Sequence, residues 1–97
     1  MITHLVLFKL KPGVTDDDPR IEAVCAAMQT LPRQIPVIRS WQFGRNLTMD
    51  AEAWDFGLVA MFDSEADLHA YFEHPAHLPV VDQWNEIATL AFVDFVS

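Results

Sequence analysis

The segment Ile2-Thr-His-Leu-Val-Leu-Phe-Lys-Leu10 is apolar on both of the faces that a β-strand presents. Side chains alternate across a strand, so His4, Val6, Phe8 and Leu10 share one face while Leu5 and Leu7 take the other. The stretches Gly57–Phe62 and Leu90–Val96 are likewise apolar at nearly every position. An antiparallel sheet covered by helices on one side normally alternates apolar-in and polar-out. Strands like these need cover on both sides. With 97 residues, near the lower end of what buries a useful core, residues 1–97 make one domain and the second cover must come from elsewhere.

The other segments fix the order of elements. Lys11-Pro12-Gly13 stops the first strand. Thr15-Asp-Asp-Asp-Pro19 supplies capping oxygens, a Pro suited to a first turn, and negative charge at the positive end of a helix dipole. Ile21, Val24, Cys25, Met28 and Leu31 follow helical spacing, and Pro32 is expected to end that helix. An extended stretch opens at Pro36, with Trp41 and Phe43 alternating against Ser40 and Gln42. Gly44-Arg-Asn46 leads into a polar loop, and Trp54–Phe62 reads as the third strand. Ser64, with Asp67 three residues on, is close to a capping box for a second helix whose inner face is Leu68, Tyr71 and Phe72. His74-Pro75 interrupts that helix, because a residue before Pro avoids the α region. Pro75 then starts a further helical segment to about Thr89, with Leu78, Val81, Trp84, Ile87 and Ala88 facing inward. Leu90–Val96 closes the chain. The order β-α-β-β-α-β is the ferredoxin-like, α+β split arrangement on a four-stranded antiparallel sheet.

Two helices in that arrangement cover one sheet face. Leaving eight to ten large side chains wet on the other forgoes on the order of 10 kcal/mol of burial. Packing two such sheets about a two-fold axis recovers it, so the expected state is a homodimer of the dimeric α/β-barrel kind, joined through the sheet face. Fourteen Asp/Glu against six Lys/Arg give a net charge of −8, without the cationic patch that nucleic acid or an anionic membrane requires. Cys25 is the only cysteine and lies in an apolar helical stripe, which suits an inert thiol better than a nucleophile. The first residues carry no basic, apolar and small-residue leader pattern, and no apolar run reaches membrane-spanning length, which implies a cytoplasmic protein.

Few polar groups lie among the apolar segments. His4 and Asp94 sit in the first and last strands, which are antiparallel neighbours in this topology, so both reach the same rim. Structurally, His4 can be a strand-end histidine and Asp94 an edge residue or loop anchor. Tyr71-Phe-Glu-His-Pro-Ala-His77 breaks a helix beside that rim. A carboxylate that accepts from one imidazole nitrogen raises its basicity and leaves the other nitrogen free as a base. Tyr71 can donate a hydrogen bond to a carbonyl or a developing enolate. His74-x-x-His77 is half a metal site without a third ligand, so no metal is expected, and with only three Gly there is no phosphate loop. No cofactor is implied. Trp41, Phe43, Trp54 and Phe56 fit a cavity lining or plain core equally well, and His69 is expected to face solvent.

His4-Leu-Val-Leu-Phe-Lys-Leu-Lys11, Leu31-Pro-x-x-Ile-Pro36, Gly44-Arg-Asn46, Phe62-Asp-Ser64, Tyr71–His77 and Val93-Asp-Phe95 together resemble the stress-responsive dimeric α/β-barrel (Dabb) family over nearly the whole chain. The resemblance implies a ferredoxin-like protomer, a barrel closed by two copies, and an apolar cavity between sheet and helices. It also implies a role for four residues. In the plant branch of olivetolic acid-type polyketide cyclases, a cofactor-independent aldol condensation uses a base matching His77, supported by the match to Asp94, with Tyr71 and His4 nearby. This sequence departs from that branch at Met28, where the branch has Tyr, and at Phe56, where it has His.

Two functions follow, with a third more remote. One is a non-catalytic dimer that binds a small apolar or carbonyl-bearing molecule or serves stress tolerance. The alternative is a cofactor-free acid–base enzyme in which His77, oriented by Asp94, removes a proton alpha to a carbonyl while Tyr71 and His4 steady the enolate. The remote one is an oxygenase of the sort other dimeric barrels support.

Overall fold

The computed structural model describes residues 1–97. Its elements are β1 (Ile2–Leu10), α1 (Pro19–Gln34), β2 (Ser40–Arg45), β3 (Phe56–Phe62), α2 (Glu65–Glu73), α3 (Leu78–Ile87) and β4 (Ala88–Val96). All strands pair antiparallel in the order β2-β3-β1-β4. The ferredoxin-like expectation holds, with the break at His74-Pro75 dividing the second helical region into α2 and α3.

Local chemistry sets the helix ends. The Asp18 carboxylate accepts from the Arg20 amide at 2.9 Å, and Pro19 fills the first turn, where a missing N–H costs nothing. Ser64 Oγ accepts from the Asp67 amide at 3.2 Å, as the capping pattern required. Four boundaries differ from the sequence expectation. Pro32 does not end α1, which continues to Gln34; so near the end, proline removes only one ladder bond, and the Ile35 amide still donates to the Leu31 carbonyl at 2.9 Å. Pro75 does not start α3. His74 is extended, and the chain turns through Ala76 before the helix begins at Leu78, with Pro79 in its first turn. The later start leaves Leu78 exposed and turns Val80 inward with Trp84 and Ile87. Ala88 is buried as expected, but it opens β4 rather than closing a helix. β3 starts at Phe56 rather than Trp54, because the Asp55 carboxylate leaves the β2–β3 loop to accept from the Leu10 amide at 2.7 Å.

The even-numbered residues of β1 and β3 face the helices. Val6, Phe8, Leu58, Ala60 and Phe62 meet Val24, Met28 and Leu31 of α1, Leu68 and Tyr71 of α2, and Trp84 of α3 in one core. The odd-numbered positions form the other face, uncovered by any element: Leu5 and Leu7 on β1, Val59 and Met61 on β3, Val93 and Phe95 on β4. Lys9 is the one charged residue among the strand positions of this face, and its Nζ sits 6.0 Å from the Trp54 ring centroid. The surface is apolar rather than wetted and charged, as the strand pattern required.

Candidate functional site

Sheet and helices do not close completely on one another. Between them lies a cavity of about 200 Å³, lined by 14 residues of which 12 are hydrophobic. His4 and His77 are the other two, and Tyr71 adds a hydroxyl; Met28, Leu31, Leu58 and Trp84 supply apolar wall. Phe92, 65% exposed on the edge strand, lines it too and marks where the cavity meets solvent.

Antiparallel register builds the His4–Asp94 contact. The two residues are direct partners across β1 and β4, both on the helix-facing side, where opposed Cβ atoms stand about 4.5–5.5 Å apart. His4 Nδ1 and the Asp94 carboxylate form a hydrogen bond, and His4 is 5% exposed. The carboxylate that burial would penalise therefore has its partner on the neighbouring strand. The sequence reading brought His4 and Asp94 to one rim correctly, but the bond expected from Asp94 to His77 does not form.

His77 takes its partner from the main chain instead. Its Nδ1 lies 3.1 Å from the Phe72 carbonyl oxygen. A carbonyl only accepts, so Nδ1 carries the proton and Nε2 is left as an acceptor. Burial lowers the pKa of His77; the Phe72 hydrogen bond opposes that shift, and His4 and His74 add to it. The imidazole is accordingly neutral at neutral pH. Tyr71 sits against it with ring centroids 4.2 Å apart, and 5.8 Å from His4. Burial, reinforced by the charge of Asp94, pushes the Tyr71 phenol far above its ordinary range, so it remains a donor. These groups form a compact polar wall: one neutral acceptor, one neutral donor, and an imidazole bound to a carboxylate.

The remaining expectations sort by side of the sheet. His74 is structural, its Nδ1 accepting from the Ala76 amide at 3.0 Å and holding the turn that delivers His77. His74 and His77 supply two imidazoles, and no group of three or more His, Cys, Asp or Glu is placed to hold a metal. Phe43 and Phe56 stack at 5.8 Å and, with Trp41, pack beside the cavity without lining it. Trp54 borders a shallow groove on the opposite face, floored by the register partners Gly44 and Gly57. His69 is exposed, and burial raises the pKa of the half-buried Cys25 thiol, which keeps it protonated. The wall residues missed by sequence reasoning are Leu58, Val80 and Phe92. Phe92 was within reach, because it has the same strand parity as Asp94.

Fold and site together define a small ferredoxin-like α+β protein with a cavity between sheet and helices. Residues 2–97 match the family described as the Stress responsive A/B Barrel Domain, Dabb, and the chain belongs to that family. An uncharacterized protein of Streptomyces coelicolor is 41% identical over 95 residues, 98% of each chain. A dimeric protein of unknown function from Bacteroides fragilis superposes with a TM-score of 0.88 at 30% identity, covering 99% of this chain and 95% of that one. A dimeric ferredoxin-like protein of unknown function from Thermobifida fusca gives a TM-score of 0.87 at 32% identity, covering 99% and 90%. No helix is long and apolar enough to cross a membrane.

Proposed function

We propose that this protein is a homodimer, paired through the uncovered sheet face, in which each protomer binds a small, largely apolar molecule in the cavity between sheet and helices. The cavity itself carries this reading: it is apolar except for His4, Tyr71 and His77, which cluster on one wall. That is the usual composition of a ligand pocket, in which apolar surface supplies affinity and a few polar groups fix orientation. Pairing is supported by the apolar outer face and by the dimeric state of the two solved relatives. Native mass spectrometry of the gently purified protein is expected to show dimers retaining a small organic molecule. A Val81→Trp change, which fills the cavity from α3, is expected to release it. Monomers without ligand, together with no saturable binding across a library of small neutral compounds, would refute the proposal.

A second reading, acid–base catalysis on the bound molecule, is favoured by one observation. His77 is neutral with Nε2 unengaged, and the ring of un-ionised Tyr71 lies 4.2 Å from its own. In this reading His77 Nε2 removes a proton alpha to a carbonyl while Tyr71 donates to the oxygen that gains charge, a contribution of about 10²–10⁴-fold in rate. Asp94 acts through His4, as a positioning residue, and does not orient the base. Exchange of alpha protons into deuterated water on a bound ketone, lost in His77→Gln, is the corresponding test.

A further inference from the structure

The charge state of the polar wall determines which molecules the cavity accepts. No Lys or Arg is among the residues that line it. His77 is held neutral by burial and Tyr71 is held un-ionised. His4 is bonded to Asp94, and however the proton between them is shared, the pair carries either no charge or one negative charge. The whole wall is thus neutral or anionic. A carboxylate or phosphate that enters gives up its hydration and meets no counter-charge, which is the costly form of burial. The surrounding field adds to the penalty, since the chain carries a net charge of −8.

A cation gains little in compensation. The carboxylate bordering the cavity is already bonded to His4, so an ammonium group finds no free anion there. Trp84, a wall residue only 2% exposed, also buries an indole N–H that has no partner in the chain. Such an orphan donor is destabilising until an acceptor reaches it. Un-ionised Tyr71 has a hydrogen to give to an oxygen acceptor, and His77 Nε2 accepts a hydrogen from the ligand.

Size narrows the choice. An apolar cavity of about 150 Å³ takes up benzene. At about 200 Å³ this one has room for a single ring with a short substituent, on the order of ten non-hydrogen atoms.

Taking the cavity as the ligand site, we infer that it selects uncharged carbonyl or phenol compounds of about ten non-hydrogen atoms and excludes the carboxylates and phosphates of the same size. The oxygen accepts from Tyr71, and the adjacent acidic hydrogen faces His77.

Three size-matched probes test this: acetophenone, benzoate and phenethylamine, titrated at pH 8 against the dimer and followed by protein NMR. Acetophenone is expected to saturate, to shift the Tyr71 and His77 resonances, and to bind about 100-fold more tightly than benzoate. Tyr71→Phe is expected to weaken acetophenone about tenfold, and Val81→Trp to remove the response. Benzoate or phenethylamine binding as well as acetophenone overturns the selectivity while leaving the cavity a ligand site. A response from none of the three at millimolar concentration overturns the ligand-site reading itself. If Val81→Trp proves unfolded, Tyr71→Phe with unchanged affinity for all three probes overturns the inference.

Discussion

Replacing Leu7 by glutamate is expected to convert the dimer into a folded monomer. Leu7 stands on the outer face of a central strand, flanked by Gly57 of β3 and Ala91 of β4. Between two such small neighbours it projects, and 42% of it is exposed in the protomer. Burying a whole Leu side chain is worth about 1.5–3 kcal/mol, so covering the remaining 42% is worth roughly 0.6–1.3 kcal/mol. A two-fold axis doubles that loss. The introduced carboxylates add a larger cost, several kcal/mol for each ion taken from water without a partner. Lys9, the nearby cation on that face, already lies over Trp54. The combined penalty is on the order of 6 kcal/mol or more, or at least about 10⁴-fold in the dimer dissociation constant. Leu7 touches none of the helix-facing core, so the protomer fold should survive. Sedimentation velocity at micromolar concentration reads the outcome: 22 kDa-class particles for the wild type, twice the 11.0 kDa chain, and single chains for Leu7→Glu. Leu7→Ala should fall between them, losing the burial without adding the charge. A wild type that sediments as a folded monomer, or a Leu7→Glu dimer of unchanged affinity, would show that this face is not the interface.

The folded pKa of His77 lies below its ordinary 6.5, so between those two values the unfolded chain holds more protons than the folded one. Stability contributed by neutral His77 is therefore complete above pH 6.5 and is lost as pH falls toward the folded value; an NMR titration midpoint above 6.5 contradicts the assignment. Affinity for a ligand that donates to Nε2 should fall over the same range, and His77→Phe should abolish that pH dependence. Asp94→Asn should move the ring resonances of His4 strongly and those of His77 little, because the carboxylate bonds to His4; the reverse pattern would restore the His77–Asp94 pairing. Ser64→Ala removes the side-chain cap of α2 and should cost about 1 kcal/mol in urea unfolding, and no loss would mean that the Asp67 amide finds an equal partner elsewhere.

Much of the architecture was written in strand parity. Alternation along Ile2–Leu10 separates His4, Val6 and Phe8 from Leu5 and Leu7 whatever the tertiary structure, and the structure keeps that division. Helix starts were legible where a side chain caps its own backbone, as at Asp18 and Ser64, since those bonds span only two or three residues. Proline misled in both directions because its effect depends on position within the turn. Pro32 falls where a helix can spare one bond, and Pro75 follows a residue so firmly extended that a turn must intervene before α3. Parity also told which residues face the helices in β4, but not how far the helices extend over them, so Phe92 was passed over.

The exchange of partners at the site has the same origin. Asp94 and His77 looked like a pair because the Tyr71–His77 loop had to lie near the end of β4, and proximity of segments is all that topology provides. Hydrogen bonds need register. The ladder sets Asp94 directly opposite His4, on the same face and one strand away, and the carboxylate bonds there. His77 must then satisfy Nδ1 within its own turn, and the Phe72 carbonyl five residues back is the group that the break at His74-Pro75 leaves within reach. That substitution changes the chemistry. A histidine held by a carboxylate shares its site with that negative charge, whereas one held by a main-chain carbonyl in a buried wall stays neutral. The register of β1 with β4 thus decides which of the two imidazoles keeps company with a charge, and with it the polarity of molecule the cavity can hold.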